Sequence, residues 1–349
     1  MEQEGYIPII LHRGDSDEHV PRRSLDSLNP PEDHTEKEIM NKLRRLVNRS
    51  DILSGYSVTR IWNQTDIGNT TIARSLSGSE QVFIVRRSTV SISRAERIRF
   101  VNWLVTMKRY RHQNIHRFIS AHLPVDDSLY VVHEYMNHGS LDSLVRRREQ
   151  PIPEDIIARI TIEILKALQY LHLHGIIHRN VNPDSILLHV NQNDCSIKLS
   201  GLFLVAKLSD RNAVRDNLIF LYPHYVAPEM VAGKPYKYKV DIWALGITIL
   251  EAMERKPTYH ESDTAQVLEL IKANGTPTAK EPEKLSRELK RFLSMALCVP
   301  VGSRASADEL LKNSFLESAT SSRSVAKYLM DSSKDGSDTS DELLDERLL

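Results

Sequence analysis

Residues 176–188 read "IIHRNVNPDSILL", a polar loop between two short apolar runs. Around Pro183 it crowds the imidazole of His178, the guanidinium of Arg179, the amides of Asn180 and Asn182, the carboxylate of Asp184 and the hydroxyl of Ser185. Asn, Asp, Ser and Pro gathered between apolar segments mark a loop. Loops on a rigid scaffold are also where binding and catalytic groups concentrate. One loop settles neither fold nor function, so the surrounding chain has to.

The 349 residues suffice for one large or two-lobed domain with tails. Hydrophobic residues make up 41% and charged residues 26%, ordinary for a globular protein. Forty-six basic and forty-six acidic residues cancel, so no global field draws in nucleic acid or an anionic membrane. Cys195 and Cys298 are too few for a disulfide framework or a zinc cluster and read as filler in a reduced compartment. The opening "MEQEGYIPII" is acidic and does not read as a signal peptide, and "DIWALGITILEAM" is too short to span a bilayer and reads as a buried helix. A cytoplasmic home is expected, and a nuclear one fits as well. Glycine is sparse, thirteen in all, which matters because phosphate-cradling loops need it.

Residues 1–55 read as a flexible, proline-punctuated extension. Within it, 35–49 place Ile39, Leu43, Leu46 and Val47 at helical spacing behind a Thr35/Glu38 capping box. That helix either packs on the following domain or detaches to bind a partner. From 56 to about 135 short β-like runs recur, "TTIARSL", "EQVFIVRR" and "SLYVVHEY", interrupted by the helical "ERIRFVNWLVTMKRY". From about 136 to 316 the pattern turns helical. Residues 317–349 form an acidic, Ser-rich tail that cannot bury enough surface to fold alone; Ser337, Thr339 and Ser340 are phosphorylation candidates and "DELLDERLL" a candidate docking helix.

In their order and spacing, "IIHRN", "ILL", "KLSGL", "VAPEM", "KVDIWALGITILE" and "GSRASADELLKNSFL" resemble the eukaryotic protein kinase family over about 56–316. "NGTPTAKEPEKLSRELKRFL" resembles the PAK group of the STE kinases. The resemblance implies an α+β, two-lobed protein-kinase-like fold with a β-rich first lobe and an α-helical second one. It also implies structural roles for His178, Arg179 and Asp241 at the catalytic loop, and for Glu229 and Arg304 as a buried ion pair.

The positions that would do chemistry differ. An active kinase carries H-R-D-x-x-x-x-N; here Asn180 stands at the catalytic aspartate and Ser185 at the metal-binding asparagine. Gly201 replaces the metal-binding aspartate of D-F-G. Val85 stands at the phosphate-pairing lysine, with Arg87 on the same strand face as an alternative cation, and Trp103 replaces the lysine's glutamate partner. "NQTDIG" keeps only Gly68 of the phosphate loop, with Asn63 and Thr65 at the other glycine positions. Phe83, His133, Met136 and Leu187 complete what would line a vestigial nucleotide pocket. Leu218 takes the activation-segment phosphosite, so Arg179 is expected to lose its phosphate ligand and the segment to order through apolar packing.

Phosphoryl transfer depends on positioning and electrostatic stabilisation of phosphates. Without cation clamp or metal ligands, the expectation is an inactive pseudokinase, similar to the STE-group adaptor pseudokinases. Its partners would be proteins, a kinase or a scaffold; it would need no cofactor, though metal-independent ATP binding stays open. The alternatives are a residual serine/threonine kinase that uses Asp184 or Asp210 as replacement ligands, and a domain that only displays its tails. Asp184 is expected to be a solvent-exposed loop residue. No convincing small-GTPase-binding segment is found in 1–55.

Overall fold

A computed structural model describes residues 35–65, 68–78, 80–88, 94–124, 128–207 and 222–331. Asp210, Leu218, Ser337, Thr339, Ser340 and "DELLDERLL" lie outside them. The described chain forms two compact units, one of residues 35–111 and 116–135, the other of 112–115 and 136–331.

The first unit is built on a five-stranded antiparallel sheet: β1 (Tyr56–Thr65), β2 (Gly68–Ser75), β3 (Gln81–Ser88), β4 (Phe118–His122) and β5 (Ser128–Glu134), in the order β1-β2-β3-β5-β4. Side chains alternate across a strand, so the run Val82-Phe83-Ile84-Val85 serves both faces. Val82 and Ile84 pack with Ile52, Ala73 and Val132 on one. Phe83 and Val85 lie on the other, opposite His133 and Val131.

Helix α1 (Glu36–Leu46) opens with the expected capping box: Thr35 accepts from the Glu38 N–H, and Glu38 accepts from the Thr35 N–H at 2.8 Å. Its Ile39, Leu43 and Leu46 are buried and it packs on α2 (Arg94–Arg109), reinforced by a 2.5 Å pair between Arg97 and Glu36. Beyond it the Asn48 N–H donates to the Ala121 carbonyl and the Leu123 N–H to the Asn48 carbonyl, each at 2.8 Å. From Thr35 onward the extension therefore belongs to the folded unit, because its apolar stripe finds a partner helix. The domain begins about twenty residues before the boundary expected at 56.

The second unit is mostly helical. Helices α3 (Leu141–Arg147), α4 (Glu154–Leu173), α5 (Lys239–Glu254), α6 (Thr264–Asn274) and α7 (Arg287–Ala296) are joined by the hairpin β7 (Ile186–Val190) and β8 (Cys195–Leu199). A short pair, β6 (Ile176–Ile177) with β9 (Ala206–Lys207), flanks the catalytic-loop sequence. Every residue of α5 from Val240 to Ala252 is buried, as its apolar text implied. No helix among the described residues is long and apolar enough to cross a membrane.

A further helix, α8 (Ser322–Asp331), buries Val325, Ala326 and Leu329 against α4, β7 and β8. Arg148 lies 3.7 Å from the centroid of its Tyr328 ring. The folded unit thus runs to Asp331 and does not end near 316. Three small or aliphatic residues could not fold this segment alone, but a preformed apolar surface makes their burial favourable.

Candidate functional site

The site is assembled by the loop after β6 and the turn after β8, both in the second unit. Asp241, at the first turn of α5, is fully buried. Its carboxylate accepts from the His178 N–H at 2.8 Å, the Arg179 N–H at 2.7 Å and the His172 ring at 2.8 Å. Burial pushes the Asp241 carboxyl up. The His172 hydrogen bond, with the His172 and His178 rings and the His178 N–H, outweighs burial and holds it below the usual range. These bonds hold Arg179, a non-glycine residue, at a φ of 63°, a left-handed conformation costing on the order of 1 kcal/mol.

From His178 the hydrogen bonds run in a closed circuit. Its Nε2–H donates to the Ser200 carbonyl at 2.8 Å while Nδ1 accepts from the Asn180 N–H at 3.2 Å. That is one neutral tautomer, in keeping with burial depressing the imidazole to about 4. The Ser200 N–H donates to the Ser185 carbonyl at 2.7 Å. Ser185 donates its hydroxyl to the Asn182 carbonyl at 2.8 Å and accepts the Asn182 N–H at 3.0 Å, while Asn182 Oδ1 accepts the Ser185 N–H at 3.0 Å. Asn182 Nδ2 reaches Asn180 Oδ1 at 3.0 Å, and Asn180 Nδ2 reaches the Gly201 carbonyl at 3.3 Å. Asn180, Asn182, Ser185 and Ser200 are all buried, and this circuit pairs the two side-chain amides, the Ser185 hydroxyl and the Ser200 backbone groups internally. Asn182, which sequence reading passed over, is its hub.

Gly201 has φ +78°, and a Cβ there would lie 2.6 Å from Asn180 Nδ2 and 3.3 Å from the Ser185 Cβ. Asn180, Ser185 and Gly201 thus form one interlocked arrangement. Kinases work on a magnesium nucleotide, and these residues do not fit the metal. Ser185 Oγ is engaged by Asn182, Gly201 supplies no carboxylate, and an amide N–H₂ fills the space where one would stand. Among the described residues no three His, Cys, Asp or Glu side chains gather as metal ligands.

Arg179 is not left without ligands. Its guanidinium donates to the Leu204 carbonyl at 2.6 Å, the Val205 carbonyl at 3.4 Å and the Tyr236 hydroxyl at 3.2 Å. Arg179 thus holds the backbone at Leu204 and Val205; the apolar packing expected around Leu218 falls on a stretch that lies largely outside the described residues. Glu229 and Arg304 form the expected buried pair, at 2.7 and 2.9 Å. Met136 and Leu187 are buried, and Leu187 bridges to Ser140.

In the first unit Trp103 is fully buried, its ring 6.1 Å from Phe118 and 6.3 Å from His133. Val85 is buried. Phe83 stacks edge-on to Tyr135 at 5.0 Å. Among the described residues neither ring nitrogen of His133 has a hydrogen-bond partner, and burial holds it well below the usual histidine range, hence uncharged. Of Asn63, Thr65 and Arg87 only the backbone is described: Asn63 faces Thr70, Thr65 faces Gly68 and Arg87 faces Leu129.

Asp184 departs from the solvent-exposed reading. Burial first, then Asp142, pushes its carboxyl up to about 6, and it hydrogen-bonds with Ser140 and Asp142. With Glu251 these form a cluster of carboxylates whose nearby cation is Arg146, 2.7 Å from Asp142. No sequence signal could find it, because its members come from α3, the loop and α5. Tyr225 donates to Glu251 at 2.5 Å, and burial above all lifts Glu251 to about 7 from 4.5, against that hydrogen bond. A carboxyl raised on folding stabilises below its unfolded pKa, and that stability is lost as pH climbs through the folded one. The loss is on the order of 3 kcal/mol. Glu251→Gln, which keeps an acceptor for Tyr225, is therefore expected to gain stability relative to the parent between about pH 5 and pH 8; urea melts across that range check it, and a constant difference would refute it.

The protein kinase domain family matches residues 68–316 of this chain. The chain belongs to the protein kinase family. It is 35% identical over 280 residues to the serine/threonine-protein kinase CLA4 of Candida albicans, covering 80% of this chain and 28% of that protein. It is 33% identical over 297 residues to max-2 of Caenorhabditis elegans, covering 84% and 44%. It is 35% identical over 290 residues to shk2 of Schizosaccharomyces pombe, covering 82% and 48%. These relatives place it in the PAK-like branch of the STE group. The match spans less than half of each relative's own length.

Proposed function

We propose that this PAK-like kinase fold is catalytically inactive and works in the cytoplasm as an adaptor, scaffold or allosteric regulator of signalling proteins, an active kinase foremost. The observation that carries the reading is the hydrogen-bond circuit through Asn180, Asn182 and Ser185, with the Asn180 amide set against Gly201. A catalytic base and two metal ligands are replaced by groups engaged with one another. The apolar Val85 and the buried Trp103 stand where a cation and its partner would position phosphates. Kinase relatives favour the alternative of a residual serine/threonine kinase, and the same experiment separates the two.

That experiment is a thermal-melt series with ATP and ADP, each with and without magnesium, run beside a phosphate-transfer assay. A ligand at about 100 times its Kd would add about 2.7 kcal/mol, a shift of a few degrees. The expected result is no magnesium-dependent shift and no transfer. A magnesium-dependent shift accompanied by transfer would establish the enzyme reading. The adaptor role predicts that the chain changes the rate of an active STE-group kinase co-expressed with it; an unchanged rate with no co-elution would remove that role.

A further inference from the structure

We propose that the β1–β2 edge of the first unit is a docking surface whose occupant is the chain's own acidic, leucine-rich segment 341–349, "DELLDERLL". The proposal goes beyond the inactive-kinase reading and holds whether or not the chain transfers phosphate.

The edge is apolar and cationic together. Among the described residues five large hydrophobic side chains are exposed, and three of them, Val58, Ile61 and Leu76, at 46%, 55% and 64%, lie on β1 or directly after β2. The Leu76 N–H donates to the Gly55 carbonyl at 2.9 Å, which holds it beside the start of β1. Arg60 and Arg74 are exposed on the same two strands, Arg74 across from Ser57. β1 is the outermost strand, with β2 its single neighbour in the sheet, so its outer backbone groups meet no strand among the described residues. Its register slips between Val58 and Arg60 and again between Ile61 and Asn63. Such irregularities discourage the addition of another strand, so this edge suits an occupant held by its side chains.

Charge selects that occupant. The chain's zero net charge conceals an uneven distribution: residues 35–135 carry sixteen Lys and Arg against nine Asp and Glu, whereas 332–349 carry two against six. Residues 341–349 set four leucines among four acids and one arginine, the counterpart of an apolar, cationic strip. Twelve residues lead from Asp331, where α8 ends, to Leu343. Fully extended they span roughly 40 Å, more than the ~30 Å of a small domain. Tethering brings the effective concentration of such a segment to about the millimolar range, so even a weak contact stays occupied. Ser337, Thr339 and Ser340 lie just ahead of it, and phosphate there would add anionic charge toward a cationic surface.

Hydrogen exchange of the full chain, compared with that of a chain ending at Asp331, the last residue of α8, tests this. Loss of the tail should speed exchange over residues 56–65 by about 5-fold and leave β5 unchanged. In the full chain Leu344→Asp should reproduce that loss. Arg60→Glu with Arg74→Glu should reproduce it too, and adding Asp345→Lys with Glu346→Lys should restore part of the protection. A synthetic peptide of residues 332–349 should protect the shortened chain, and less so in about 0.5 M salt, where exposed charges are screened. Equal exchange with and without the tail, or a Leu344→Asp chain that keeps full protection, would overturn the proposal. Protection that rises with protein concentration would seat a second copy's tail on the edge and overturn it as well.

Discussion

Arg304→Ala is expected to cost about 3–5 kcal/mol, the price of leaving a buried charge without its partner. Arg304 is wholly buried and Glu229 is 6% exposed. The guanidinium makes a two-pronged contact with the carboxylate at 2.7 and 2.9 Å. It also donates to the Cys298 carbonyl at 2.9 Å and the Lys239 carbonyl at 3.0 Å, and lies 5.0 Å from the Trp243 ring centre. Alanine strands the Glu229 carboxylate and these carbonyls together, and opens a cavity beside α5. Removing both charges at once, as Glu229→Gln with Arg304→Met, should recover part of the loss, since an apolar or neutral replacement of a buried pair is often tolerated. Urea denaturation of the single and double variants measures both numbers. A loss under about 1 kcal/mol for Arg304→Ala, the size of a surface pair, would mean that water reaches the pair.

Trp103→Ala comes next, at about 3–5 kcal/mol. The side chain is fully buried on α2, edge-on to Phe100 at 5.0 Å and close to Phe118 and His133. Its indole N–H has no hydrogen-bond partner among the described residues, so its contribution comes from packing and a ring of similar reach can replace it. Trp103→Phe should therefore cost much less than alanine. Trp103→Glu should be worse than either, because a carboxylate would be buried among the rings of Phe100, Phe118 and the uncharged His133. A stable Trp103→Glu variant would mean that water or a cation reaches this position.

Much of the fold was legible before any coordinates. The β-run around Val82–Val85, the apolar text of α5 and the capping box at Thr35 are local patterns. Periodicity and capping are properties of neighbouring residues, so they survive in one dimension. The same holds for the chemical identities at Val85, Trp103, Asn180, Ser185 and Gly201, which any reading of the ordered motifs exposes.

What those groups do to one another was not legible. That Asn180 fills the space of a Gly201 side chain, that Arg179 turns to the Leu204 and Val205 carbonyls, and that Asp184 shares a poorly compensated cluster with Asp142 and Glu251 all depend on segments distant in sequence. So does the helix at Ser322–Asp331, whose few apolar residues become worth burying once α4, β7 and β8 present a surface. Composition and local pattern thus determined the family, the fold class and the residues at each motif position. Hydrogen-bond satisfaction, burial of charge and excluded volume determined how those residues are used, because each is a sum over neighbours that only folding brings together.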